Sequence, residues 1–130
     1  MVRIHSETLM IDEFVTDAFP LCLQINRQKK HISLVIHKKR IIAVGFNHFK
    51  SHPKAKELGY TFDEMHSELD AYRKIPKNLL GKKLILVNAR YNKFGQMRMS
   101  KPCVTCESWC REIFSKIYYT TDDGIRKLEI

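Results

Sequence analysis

Between two β-rich runs near the C-terminus, residues 117–120 and 125–129, the chain offers only the tight turn Asp122-Asp123-Gly124. A parallel link between neighbouring strands needs about a dozen or more residues, so this pair must close as an antiparallel hairpin. The connection before it is different. Between the β-rich runs at 83–90 and 117–120 lies a helical stretch from about 103 to 115. That is long enough for a right-handed crossover, which sets those two strands parallel. The C-terminal half therefore builds a mixed sheet.

The N-terminal half has to fit onto that sheet. Residues 8–17 place Leu9, Met10, Ile11, Phe14 and Val15 at roughly helical spacing among acids. Pro20 marks a break, with 21–29 as a second helical piece. Residues 32–36 and 41–46 are β-rich around the polar run 37–40, which predicts a hairpin. Residues 47–60 read as loop. Thr61, Phe62, Asp63 and Glu64 fit a capping box, so a helix is expected to start there, carry residues 66–74 and stop at Pro76. Phe94-Gly95 marks a turn, residues 97–100 a short extended piece, and Pro102 the first turn of the next helix. The sum is an α/β domain, a five-stranded mixed sheet with helices on both faces and its last two strands antiparallel. At 130 residues the length suits one modest core, so 1–130 is read as a single domain.

Charge narrows the partners. The formal net charge is +9, and two acid-free windows, residues 18–56 and 71–106, hold nine basic residues each out of 23. Such a field favours a phosphate-bearing partner, a nucleotide or a polynucleotide, although on charge alone a solvated basic surface is the simpler account. No apolar run approaches the ~20 residues of a membrane span. Glu7, Asp12, Glu13 and Asp17 interrupt the N-terminus, which does not read as a secretory signal, so a cytoplasmic protein with no membrane partner is expected.

Chemistry concentrates at two expected helix starts: His66-Ser67-Glu68, and Pro102-Cys103-Val104-Thr105-Cys106 beginning 34 positions after Glu68. In an intracellular chain the C-x-x-C spacing of Cys103 and Cys106 points to metal or redox chemistry rather than a disulfide. One histidine and two thiolates make three ligands of a tetrahedral zinc site and leave a fourth position for water, a catalytic arrangement. Helix N-termini stabilise thiolate sulfur through free N–H groups and the positive dipole end. Glu68 is then placed to take a proton from water and return it to a ring nitrogen and a leaving amine, which is hydrolytic deamination.

H-x-E followed by P-C-x-x-C is the signature of zinc nucleobase deaminases. The sequence resembles the cytidine and deoxycytidylate deaminase superfamily across most of its length. Residues 41–47, His66-Ser67-Glu68, residues 101–106 and residues 117–120 occur in the expected order. The resemblance implies the three-layer cytidine-deaminase-like fold, Zn2+ on His66, Cys103 and Cys106, and Glu68 as the proton shuttle. It also implies that Asn47 contacts the sugar or base. The chain departs from the pattern at Ser67, where most members have alanine, and at Lys101, where the tRNA adenosine deaminases have glutamate. The antiparallel final hairpin resembles the free-cytidine branch.

Around these positions, Ser67 is a candidate substrate contact through its backbone and hydroxyl. Phe46, Phe49 and Tyr60 are candidates for stacking on a base. His48 and His52 stand where they either touch a substrate phosphate or are simply solvated. Cys110 and Cys22 read as small core residues, and Trp109, Phe114, Tyr118 and Tyr119 as packing. The leading reading is a hydrolytic deaminase of a free cytosine nucleoside or nucleotide, a small-molecule partner, with assembly into a homo-oligomer left open. Two rivals are a deaminase of a base in single-stranded RNA or DNA, and a non-catalytic nucleic-acid-binding module that uses zinc only to fold.

Overall fold

Strand β1 (Lys30–His37) alternates: Ile32, Leu34 and Ile36 point one way, Ser33 and Val35 the other. A two-residue reversal at Lys38-Lys39, with φ of 49 and 66, folds it onto β2 (Arg40–Phe46). Two successive left-handed residues make a type I′ turn, whose twist suits a tight hairpin. The computed structural model describes residues 4–22, 30–47 and 66–128. Across the other edge of β1 runs β3 (Ile85–Tyr91), antiparallel, with Ser33 opposite Asn88. Next come β4 (Lys116–Thr121), parallel to β3, and β5 (Gly124–Lys127), antiparallel to β4. The sheet order is β2-β1-β3-β4-β5.

The helices α1 (Ile4–Cys22), α2 (Ser67–Arg73) and α3 (Val104–Ile113) cover the sheet. On one face α1 lays Ile11, Val15 and Ala18 against Ile32, Leu34, Ile36, Val87 and Ala89. On the other, Leu69 and Ala71 of α2 join Trp109 and Cys110 of α3 over Val35, Ala43, Leu86 and Ile117. Each fully buried Leu, Ile or Val among them contributes about 1.5–3 kcal/mol. No helix among the described residues is long and apolar enough to cross a membrane.

The expected mixed sheet, both hairpins and the parallel crossover are all present, and the last two strands are antiparallel. Two boundaries differ. Helix α1 runs through Pro20 to Cys22; a proline so near the end removes one intrahelical bond, and burial of the Ile11–Val15–Ala18 stripe outweighs that loss. Pro102 stands ahead of the N-cap Cys103 rather than in the first helical turn. Residues 97–100, expected as a short extended piece, bridge Met97 to Tyr91 and bond through the Arg98 N–H to the Arg90 carbonyl and the Ser100 N–H to the Thr120 carbonyl. The helix carrying Glu68 starts at Ser67 with His66 as N-cap. The expected capping box at 61–64 and the second helical piece at 23–29 lie outside the described residues.

Candidate metal centre and acid/base site

Helix α2 sits closer to the sheet than any side chain would allow. A Cβ at Gly45 would lie 2.2 Å from both the Ala71 nitrogen and the Ser67 carbonyl oxygen, so only glycine permits the approach. Asp70, wholly buried, pins the helix to the edge strand. Its Oδ2 accepts from the Phe46 N–H at 2.9 Å and from Lys74 Nζ at 2.8 Å, while Oδ1 accepts from Arg73 Nε at 2.8 Å. This docking carries His66, Ser67 and Glu68 to the middle of the sheet.

The second motif arrives from the neighbouring crossover. Cys103 caps α3, its Sγ accepting from the Cys106 N–H at 3.4 Å. His66 Nδ1 lies 3.8 Å from Cys103 Sγ and 3.5 Å from Cys106 Sγ, and the three ligand atoms all fall within 4.8 Å of one another. Hydrogen bonds from Cys106 first, then His66, hold the Cys103 thiol down at about 4. A tetrahedral zinc with Zn–S near 2.3 Å and Zn–N near 2.0–2.1 Å separates nitrogen and sulfur by about 3.6 Å. Donor chemistry and spacing thus both fit such an ion. Cys110, one turn on, is buried, and desolvation pushes its thiol well above the usual range, with Glu68 and Cys103 adding to the effect. It stays a neutral core thiol.

Glu68 stands beside this cluster without belonging to it. Its side chain is nearly buried, at 6% exposure. Oε1 accepts from Ser67 Oγ at 3.1 Å and Oε2 from Asn88 Nδ2 at 3.1 Å. Ser33 Oγ lies 2.8 Å from Ser67 Oγ and 2.6 Å from Asn88 Oδ1. A buried carboxylate with donors on both oxygens avoids the penalty of an unpaired one. Ser67 therefore directs its hydroxyl at Glu68 and Ser33.

At the same end of the sheet, Asn47 faces His31 across the β1–β2 edge. His31 N–H donates to Asn47 Oδ1 at 3.0 Å, and Asn47 N–H to the His31 carbonyl at 3.4 Å. Arg90 is paired in register with His31 and, by alternation, shares the face of Asn88. Its Nη1 reaches the Met99 carbonyl at 3.4 Å, but its buried Nε has no hydrogen-bond partner. Phe46 packs instead with the apolar cluster on the α1 face, with Lys74 Nζ 5.8 Å from its ring centroid. His48, Phe49, His52 and Tyr60 lie outside the described residues, as does the Cys22 side chain.

The structure thus brings His66, Cys103 and Cys106 together, sets Glu68 and Ser67 beside them, and leaves Phe46 facing away. Ser33, His31, Asn88 and Arg90 belong to no motif. The available signal was two polar residues, Ser33 and Asn88, interrupting the aliphatic runs at 32–36 and 84–89. A polar group there is tolerated only if it is bonded.

No family profile and no curated protein matches the chain. Among solved structures it is similar to the dCMP deaminase of cyanophage S-TIM5 in complex with dCMP and dUMP, at 18% identity and a TM-score of 0.50. That match covers 92% of this chain and 82% of the other. The same enzyme in apo form gives 17% identity and a TM-score of 0.48 over 92% and 84%. The first likeness establishes the fold, a cytidine-deaminase-like α/β sandwich, in agreement with the resemblance carried by the motifs.

Proposed function

We propose that this chain is a zinc-dependent hydrolytic deaminase that converts a cytosine nucleoside or nucleotide to its uracil form and releases ammonia. The observation that carries the reading is the His66–Cys103–Cys106 cluster with a buried carboxylate, Glu68, held next to it but outside the ligand set. A structural zinc site wants four protein ligands and has no use for such a neighbour. His66 Nδ1 and the two cysteine sulfurs would hold the ion, which when bound supplies the acidity that makes water a nucleophile at neutral pH.

The chain's own residues do the rest. Glu68 accepts the proton of the attacking water and delivers it to the ring nitrogen next to the attacked carbon, then takes the proton of the newly formed hydroxyl and passes it to the departing amine. Water's oxygen stays on the base as the new carbonyl, and ammonia leaves. Ser67 and Asn88 keep the carboxylate aimed through these transfers. Asn47 is the residue for the sugar or base, as the motif resemblance implies.

Arg90 supports the phosphorylated substrate. It is a cation with no carboxylate in salt-bridge range among the described residues, one buried nitrogen unbonded, and a place two residues along β3 from Asn88. An anionic group on the substrate would complete it. The similar solved structure holds dCMP and dUMP, in line with this choice.

The test is ammonia release from cytidine, deoxycytidine, their monophosphates and triphosphates, the adenine and guanine counterparts, and short single-stranded oligonucleotides, for wild type and Glu68→Gln. Glu68-dependent release from a cytosine monomer supports the proposal. Release from oligonucleotides alone overturns the monomer reading, and silence with metal bound overturns the enzyme reading. Arg90→Ala should raise KM for the monophosphate far more than for the nucleoside; an equal rise removes the argument for a nucleotide.

A further inference from the structure

We infer that Asn88 is the positioning residue that sets the Glu68 carboxylate against the two-cysteine motif, with Ser33 as its support; the inference rests on the deaminase reading above. Both donors and the acceptor oxygen of this one amide are engaged. Nδ2 donates to Glu68 Oε2 at 3.1 Å and to the Ser100 carbonyl at 3.1 Å, and Oδ1 accepts from Ser33 Oγ at 2.6 Å. Two acceptors on one side fix which way the amide faces, since a carboxylate and a carbonyl both require N–H.

The two bonds of Nδ2 reach the two halves of the site. Glu68 is two residues past His66. Ser100 is three before Cys103 and is itself locked to β4: its N–H donates to the Thr120 carbonyl at 2.9 Å, and its Oγ accepts from the Thr120 N–H at 2.7 Å. The single side chain at 88 therefore ties the acid/base group on α2 to the segment that delivers Cys103. Few residues can do this. Serine has one proton, aspartate would oppose Glu68 with a second carboxylate, and a buried aliphatic would leave the Ser100 carbonyl and the Glu68 oxygen each short of a donor.

The serines add tolerance. Ser33 and Ser67 carry two hydroxyl protons for three oxygen–oxygen contacts: Ser33–Ser67, Ser33–Asn88 and Ser67–Glu68. Their protons can turn toward or away from Glu68 with no heavy atom moving. Glu68 can thus gain and lose its proton in a turnover while Asn88 stays in place.

The experiment uses the whole chain reconstituted with zinc, comparing wild type, Asn88→Ala, Asn88→Asp and Ser33→Ala. It reads kcat and KM on the best substrate of the panel, zinc per chain, and thermal midpoint. Removing a side chain that orients a reactive group by a hydrogen bond typically changes activity by about 10–100-fold. That loss is expected in kcat for Asn88→Ala and Asn88→Asp, with KM and zinc content unchanged, and a smaller kcat loss is expected for Ser33→Ala. A double-mutant cycle of Asn88→Ala with Glu68→Ala on the thermal midpoint reads the contact independently of activity. Non-additivity supports the assignment. Additive midpoints, an intact kcat, or a loss confined to KM or zinc content overturns it. If Asn88→Ala does not fold, Asn88→Asp and Ser33→Ala carry the kinetic arm, and the cycle is run with Asn88→Asp. If wild type deaminates nothing, the proposed function falls, while the cycle still decides whether Asn88 holds Glu68.

Discussion

The two faces of the sheet are made by the same strands and serve opposite ends. Toward α1, β1 and β3 present Ile32, Leu34, Ile36, Val87 and Ala89, a layer of aliphatic side chains with no chemistry to offer. Toward α2 and α3, the same strands present Ser33 beside Val35 and Asn88 beside Leu86, and the buried set there includes Ser67, Glu68 and Asp70. The first face gains free energy from area removed from water. The second gives some of that up and recovers it through a closed set of hydrogen bonds that holds each reactive group in one place. Alternation along a strand lets one segment do both.

The sharpest way to separate the faces is to remove chemistry from one without touching the other. Glu68→Gln should reduce ammonia release by about 10²–10⁴-fold, the usual worth of general acid–base catalysis, with the thermal midpoint held or raised. A fall in both would mean that the polar face is built for stability. Leu34→Ala is the converse. It should lower unfolding free energy by about 2–5 kcal/mol in denaturant titration, while kcat/KM per folded molecule stays near wild type.

Gly45→Ala strikes where the two requirements meet. The added methyl would lie 2.2 Å from the α2 backbone, so the helix must shift at a cost of about 1–3 kcal/mol, typical of overpacking. Glu68 rides on that helix, so activity and stability should fall together; a stable, active variant would show that α2 docks less tightly than described.

At the rim of the apolar face, Glu7 of α1 binds Lys116 Nζ at 2.9 and 3.0 Å and accepts a short hydrogen bond from the Tyr118 hydroxyl. The Tyr118 contact, followed by Lys116, lowers the Glu7 carboxyl below its ordinary 4.5. Its contribution is therefore fully present above that value and is lost as pH falls through the lowered one. The pair is part-exposed, so the effect should be at most about 1 kcal/mol. Tyr118→Phe should flatten the acid limb of a stability–pH curve without moving the activity profile near neutral pH.

The smallest effect belongs to neither face. Lys39→Gly relieves the left-handed backbone at φ 66, partly offset by glycine's extra chain entropy, for a net gain of a few tenths of a kcal/mol. An effect on activity would mean that this turn communicates with the pocket.

Much of this was legible in the residues themselves. Turn length dictated strand direction at both hairpins, because a two-residue link cannot make the crossover that parallel strands need, and H-x-E with P-C-x-x-C pointed to the His66, Cys103 and Cys106 side chains that the structure brings together. The acid-free windows at 18–56 and 71–106 were less telling than they looked. Arg73 and Lys74, from the second window, pair with buried Asp70, one residue outside it, so part of that charge docks a helix. Local sequence determined most element types, the strand directions at the two hairpins and the crossover, and the candidate site residues, since each follows from spacing, turn geometry or donor chemistry along a few neighbouring residues. Only the tertiary structure decided that Asn88 would meet both Glu68 and Ser100, that Gly45 would lie under α2, and that Phe46 would turn to the far face. Those contacts join residues 12, 20 or more positions apart, and their partners are chosen by register and packing, which no local pattern encodes.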